Sequence, residues 1–349
     1  MKKLLLATAV AALSVSAANA APTIYGKAFV TADYVNAERD SSLPEYDVDS
    51  DSVQINSNIS RLGFKGSEAM TANTDVIYQL EYGIAIDDSG DDNVALRSRD
   101  TYLGLDNKTL GQFRFGRNYS VTDYINNVTV TEGFWDNLGV SNLDMEDDIL
   151  DAVTMADGGR VNNSIVWIAP KYNGLPLELA LQYGADESFV SDDDDRDSGF
   201  GASLMFDQGT GFTAGVAYDK DMSQAGELLR GSATVDLGKY MAAPVTLGAM
   251  YQVADFDGGE KDEKGLVVSA EMGLTNFARP ASVYVQYNGT KNLAGFEDRD
   301  SDQVVLGGKY NFKDNMIAHA YIGDNSADDK ATNTDLDVFA IGGGLEYLF

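Results

Sequence analysis

Apolar and polar residues alternate with a two-residue period along most of the chain. In Val76-x-Tyr78-x-Leu80-x-Tyr82-x-Ile84-x-Ile86 one face is continuously apolar, and the other carries Ile77, Gln79, Glu81, Gly83 and Ala85. The same pattern runs through Leu177 to Tyr183, Val245 to Val253, Leu266 to Leu274 and Val304 to Phe312. Alternation of this kind predicts strands with two unlike faces. Each segment is about ten residues, the length a tilted strand needs to cross a hydrocarbon layer.

Sixteen such segments begin near residues 23, 52, 73, 94, 111, 161, 176, 198, 212, 228, 243, 265, 280, 301, 316 and 336. The even number fits a closed up-and-down barrel. The connections alternate too: 68–72, 106–110, 172–175, 207–211 and 313–315 are tight turns rich in Gly and Asn. Residues 37–51, 185–197, 255–264, 289–300 and 324–335 are predicted as longer, acidic loops. Turns at one rim and loops at the other is the outer-membrane arrangement. Only a closed barrel satisfies every strand's backbone groups in lipid. The expected fold is thus all-β, a 16-stranded antiparallel transmembrane barrel. A soluble secreted all-β protein would alternate as well. Against it, Phe339, Ile341, Gly343, Leu345, Tyr347 and Phe349 share one face up to an aromatic last residue, which a soluble sandwich has no reason to expose.

One connection breaks the rhythm. Residues 121–160 form a stretch far beyond the ~12–15 residues of ordinary loops. It holds Tyr124, Ile125, Val128, Val130, Phe134, Trp135, Leu138 and Val140, too many apolar groups for a disordered segment. It also holds nine acids, among them Glu132, Asp136 and several between Asp144 and Asp151. Half packed and half hydrated, it suits the inside of a water-filled tube.

Composition narrows the compartment. Met1-Lys2-Lys3, an apolar run from Leu4 to Val15 and Ala18-Asn19-Ala20 read as a cleavable export signal over residues 1–20. The apolar run is short of the ~20 residues of a spanning helix. The mature chain is expected to be 21–349, a single barrel. Cysteine is absent, so no disulfide staples it. With Lys2 and Lys3 removed, 23 basic side chains remain against 55 acidic ones, a net charge of −32. Nucleic acid is thereby excluded as a partner. Such charge is tolerable on hydrated loops or along a channel, where it enriches cations. Thirty-five glycines, 18 tyrosines and 15 phenylalanines against six prolines favour strands and turns.

The chain resembles the general trimeric porins of Gram-negative outer membranes. The resemblance rests on Tyr25-Gly26-Lys27-Ala28 in the first segment, on Ser60 to Gly66 (SRLGFKG) in the second and on Ser98 to Leu105 (SRDTYLGL) in the fourth. Phe113 to Tyr119 (FRFGRNY), Arg160 to Ile165 (RVNNSI) and the last residue Phe349 follow in order. It implies a homotrimer in the outer membrane that passes small hydrophilic solutes passively, without a cofactor. It implies that 121–160, the long third loop, folds inward and narrows the pore opposite a basic wall. By motif that wall is Lys27, Arg61 and Arg99, with Arg97 two residues from Arg99. Glu132 and Asp136 flank Phe134-Trp135 where the family carries its inward acids, although Thr131-Glu132-Gly133-Phe134-Trp135 replaces the family's Pro-Glu-Phe-Gly-Gly. The strand ending in Tyr347 and Phe349 would be read by the assembly machinery. Lipid and lipopolysaccharide are the expected surroundings. If Arg61 points inward, strict alternation turns Ile55 and Ile59 inward and Asn56, Asn58 and Ser60 outward. Either a β-bulge near Ser60 resets the face, or a neighbouring subunit covers this wall, and the implied trimer contact favours the second.

Other chemistry is poorly supported. His319, the only histidine, would be needed for a Ser-His-Asp site in a barrel enzyme, but wall lining is the plainer reading. Asp47-x-Asp49-x-Asp51 has calcium-loop spacing, yet Ser52 and Asn58 stand where Gly and Glu are required. This run and Asp192 to Asp195 read as hydrated surface, with divalent-cation bridging to lipopolysaccharide phosphates as the alternative. Gly342-Gly343-Gly344 lies in a strand and fits no phosphate loop. A sugar-specific channel would need an aromatic slide. The inward aromatics number few: Tyr25, Phe29, Tyr284 and Tyr321. An adhesin is the remaining alternative.

Overall fold

The computed structural model describes residues 21–87, 96–136, 138–140, 150, 153–171, 175–186, 198–222 and 225–349. The export signal and the acidic run Asp192 to Asp195 lie outside them, as does most of the run from Asp144 to Asp151.

Seventeen strands form one antiparallel sheet: β1 (Thr23–Ser41), β2 (Val48–Ser57), β3 (Arg61–Ala69), β4 (Thr74–Ile84), β5 (Leu96–Asn107), β6 (Gly111–Tyr119), β7 (Arg160–Ile168), β8 (Leu177–Gly184) and β9 (Gly199–Asp207). They continue as β10 (Phe212–Lys220), β11 (Gly226–Asp236), β12 (Val245–Phe256), β13 (Glu263–Gly273), β14 (Ala281–Lys291), β15 (Arg299–Lys313), β16 (Met316–Asp329) and β17 (Thr334–Leu348). Because β2 and β3 both pair with β1, end to end, they are two halves of one stave, and the wall has sixteen. Pairing of β1 with β17 closes it. No helix among the described residues is long and apolar enough to cross a membrane.

The break between β2 and β3 corrects the expected facing. Val30 of β1 pairs with Ser57 and Lys27 with Arg61, so three steps along one strand oppose four along the other. That is a one-residue bulge. Ile59 takes the extra position with φ of 50°, and the Ser60 hydroxyl patches the ladder by accepting from Phe29 N at 3.0 Å. The bulge keeps Asn56 and Asn58 turned to the polar groups of Asp33 and Thr31, at 2.7 Å each, while Arg61 reaches Glu81 on the same side. Val53 and Ile55 are 77% and 57% exposed on the outer face. Resetting within the chain explains the facing without cover from a second subunit.

Several polar stretches expected to be loops are strand. β1 ends at Ser41 and β2 begins at Val48; β16 ends at Asp329 and β17 begins at Thr334. Loss of apolar alternation there marks the edge of the hydrocarbon layer, while backbone pairing continues into water. β1, β15, β16 and β17 are 19, 15, 14 and 15 residues long, against the ~9–11 that cross a bilayer. On these extensions acids meet directly across strands. Asp328 faces Asp300 and Asp335, Asp335 also faces Asp40, and Glu38 faces both Asp337 and Asp49.

The outer face is apolar: Leu247, Tyr251, Val268, Val285, Val304, Leu306, Ile322 and Ile341 are all exposed. Their alternates Gln252, Ser269, Gln286, Gln303 and His319 are buried and point inward. Phe349 lies where the seam closes. Its backbone exchanges two hydrogen bonds with Gly26, 2.9 and 3.1 Å, and its ring occupies the space a side chain at position 26 would need. Tyr347 stacks on the Phe349 ring at 6.2 Å. Deleting Phe349 is therefore expected to impair barrel closure and insertion, seen as loss of the heat-modifiable species on gels. A deletion strain with normal amounts of that species would refute it.

Candidate functional site

Residues 121–160 are fastened to the polar faces of the strands, in order around the wall. Val121 N donates to Gln182 on β8 at 3.0 Å, and Ser232 on β11 donates to Ile125 O at 2.6 Å. Ser269 on β13 donates to Val128 O, and Val130 N donates to Gln286 on β14 at 2.7 Å. Phe134 N donates to Tyr321 on β16 at 3.1 Å, and the Trp135 indole donates to Ala340 O on β17 at 3.2 Å. Glycines in the wall make the room. A Cβ at Gly248 would stand 3.0 Å from Val128, and one at Gly323 would stand 2.7 Å from the Trp135 ring. The few apolar inner residues, including Met250, Val267 and Val305, lie under this segment and pack with Val128, Leu138, Met155 and Trp135. On the return leg the wholly buried Arg230 donates to Ala156 O and to Asp157 Oδ1, both at 3.1 Å.

The expected basic residues all line the interior, Lys27, Arg61 and Arg99 with acidic partners of their own. Arg61 Nε lies 3.7 Å and Arg99 Nε 2.9 Å from the two oxygens of Glu81 on β4. Lys27, the cross-strand neighbour of Arg61, lies 3.7 Å from Glu346 Oε1. The other oxygen of Glu346 meets His319 Nε2 at 2.9 Å. A second bulge, between the pairs Leu80–Thr101 and Tyr82–Ser98, lets Asp100 join Arg99 inside. There Asp100 accepts from Arg160 Nε at 2.9 Å. Arg97, Arg99, Arg117 and Arg160 line one hollow of about 440 Å³. It adjoins a second of about 580 Å³ through shared Ser57, Ile59 and Asp87.

Of the loop acids, Asp136 lines the second hollow with Asn56, Asn58 and Asp157. Burial and then the Glu132 charge push its carboxyl up to about 7, while Lys27 and Arg99 pull the other way. Asp123 is likewise raised, by burial and then by the charge of Asp157, against Arg230 and Arg160. Glu132 Oε1 lies 3.7 Å from Lys309 Nζ on β15, not from the expected arginines. Lys309, Glu81, Glu346, Asp100 and Arg230 were absent from the expected site. Each is a charge on the inner-facing alternate of a strand, or one residue past a bulge, and that parity is the signal that finds most of them.

A closed membrane barrel with a charged, hydrated interior defines a pore-forming outer-membrane protein. The chain belongs to the Gram-negative porin family, whose sequence pattern matches residues 7–330. It is 27% identical over 315 residues to outer membrane protein S2 of Salmonella typhi, covering 77% of this chain and 79% of that one. It is also 27% identical over 300 residues to outer membrane porin N of Escherichia coli K12, covering 74% and 76%. In fold it matches an anion-selective porin from Comamonas acidovorans with TM-score 0.70 at 16% identity, over 95% of this chain and 100% of that one. Salmonella typhi OmpF in complex with daunomycin matches with TM-score 0.61 at 18% identity, over 94% and 97%. This is an outer-membrane porin channel.

Proposed function

We propose that this porin passes ions and small hydrophilic solutes passively, with a preference for cations, and that residues 121–160 form its constriction. Glu132 and Asp136 supply the negative side and Lys27, Arg61, Arg97 and Arg99 the positive side. The observation that carries the sign is the counter-charging of the basic wall. Glu81, Asp100 and Glu346 offset three of the four positive charges of Arg61, Arg99, Arg160 and Lys27, so the wall's positive field is reduced in a chain whose formal charge is −30. The Comamonas porin shares the fold and is anion-selective, so side chains and not the barrel decide the sign.

A sugar slide is disfavoured because Phe29 and Tyr284 are at most 2% exposed, and Tyr321 is engaged by Asp33 and Phe134 N. An enzyme site is disfavoured because His319 is buried against Phe29 and bonded to Glu346. OmpT of Vibrio cholerae, a fold neighbour with TM-score 0.58, occurs in a trimer form, and a homotrimer is the assembly we infer here. Outer-membrane lipid, lipopolysaccharide and the assembly machinery are the partners that follow from this placement.

Single-channel recording across a potassium chloride gradient tests the reading. Mouth charges act over a Debye length of ~10 Å at 0.1 M salt and ~3 Å at 1 M, so cation preference should weaken as salt rises. Anion preference in dilute salt would sink it.

A further inference from the structure

The outer face carries an apolar groove of about 510 Å³ across β10 to β14. Its floor is a patch of alanines: Ala233 faces Ala249 directly, and Ala270 pairs with Leu247 one step away. Phe212, Leu247 and Tyr287 rise around it, 37–42% exposed. Small residues here leave a channel in a surface that elsewhere presents large aliphatic and aromatic groups to lipid.

Strand direction fixes the leaflet. The groove lies at the ends of β10 to β14 joined by residues 208–211, 237–244 and 274–280. That rim also carries the tight turns 70–73, 108–110 and 314–315, opposite the one from which 121–160 departs. Short turns mark the periplasmic side, so the groove faces the inner leaflet. Two exposed cations stand on the connections beside the groove in a strongly acidic chain. Lys239 is exposed, and its stem packs over Gly211 beside Phe212, where a Cβ would come within 2.6 Å of Lys239 Cγ. Arg279 is exposed in the next connection, near Phe277 at 54% exposure, and Tyr240 and Met241 add an amphipathic edge of the interfacial kind. The acids nearby are turned onto backbone: Asp236 accepts from Gly238 N and Asp207 from Gly209 N.

We propose that this groove holds an acyl chain of an anionic inner-leaflet phospholipid, with its phosphate at Lys239 and Arg279. The membrane supplies the occupant, the alanine floor its place, and the two cations its headgroup charge. Lipid held here would bridge five strands without touching the pore, so the site is separate from conduction.

The purified full-length protein in detergent, titrated with phosphatidylglycerol and followed by native mass spectrometry, should retain one tightly held lipid per chain. Ala249→Phe with Ala270→Phe fills the groove and should weaken retention about tenfold, the loss of roughly two buried methylenes' worth of contact. Ala249→Leu, a milder change that folds more readily, should give a smaller loss in the same direction. Lys239→Ser and Arg279→Ser should each lower the preference for phosphatidylglycerol over phosphatidylethanolamine by about fivefold. Single-channel conductance should stay unchanged throughout. Equal retention in both groove variants, or groove variants that alter the oligomer mass and not the lipid count, would overturn the proposal.

Discussion

Replacing Trp135 by alanine is expected to release the middle of the 121–160 segment while leaving the barrel standing. Trp135 is 0% exposed, packs on Gly323, meets the Phe134 ring edge-on at 5.0 Å and bonds Ala340 O. Truncating a buried Trp costs about 3–5 kcal/mol. The neighbouring hydrogen bonds to Gln286 and Tyr321 contribute about 0.5–1.5 kcal/mol each and cannot offset that. Amide exchange at Val130 and Phe134 to Asp136 should therefore accelerate by about 10²–10³-fold, since each 1.4 kcal/mol is tenfold. Conductance steps should become noisier. Trp135→Phe should fall between. Exchange at the wild-type rate in Trp135→Ala would show that other contacts hold the segment.

Replacing Glu132 and Asp136 together by Gln and Asn should lower cation preference even in salt that screens the mouth. Two unit charges ~4 Å apart interact by ~1 kcal/mol in bulk water and ~4 kcal/mol at an effective dielectric near 20, so charges in a narrow passage outweigh equal ones at the rim. The structure adds a pH signature. Asp136 has its carboxyl raised to about 7, so it is neutral below that pH and negative above. Wild-type cation preference at high salt should thus fall as pH drops through about 7, and the double variant should be flat over the same range. The Lys309 ammonium loses its Glu132 partner in that variant, which pushes selectivity the same way. A wild-type reversal potential in the double variant at high salt, with Trp135 still buried, would move the constriction away from these acids.

Alternation along the chain made the sixteen staves legible, with most starting within two or three residues of their observed positions, because a two-sided strand must be apolar outside at every other residue. Strand ends were less legible. Asp40, Asp328 and Asp335 break the apolar pattern but not the backbone ladder, and hydropathy reports the first and not the second. The stave containing Arg61 misled for another reason, since one inserted residue at Ile59 inverts parity and leaves no mark in composition. At the site, motif order pointed to Lys27, Arg61 and Arg99 as the inner wall, with Arg97 following as the same-face neighbour of Arg99. Their partners lie elsewhere in sequence: Glu81, 20 residues from Arg61, is brought to it by the β3–β4 pairing, and Glu346, 319 residues from Lys27, by barrel closure. The path of 121–160 was least legible, because its supports Gln182, Ser232, Ser269, Gln286 and Tyr321 come from five different strands and none has an unusual local context.

The tall strands β15, β16, β17, β1 and their neighbour β2 set like charges face to face from Asp300 through Asp328 and Asp335 to Asp40, and again from Asp337 through Glu38 to Asp49. Directly opposed like charges weaken a strand pair. This parapet is therefore held up by main chain against the repulsion of its own side chains, whereas the described residues of the 121–160 segment are fastened to the wall through side chains. The tall strand ends and the segment proposed as the constriction thus answer to opposite chemistry: dissolved ions relieve the first, and substitutions undo the second.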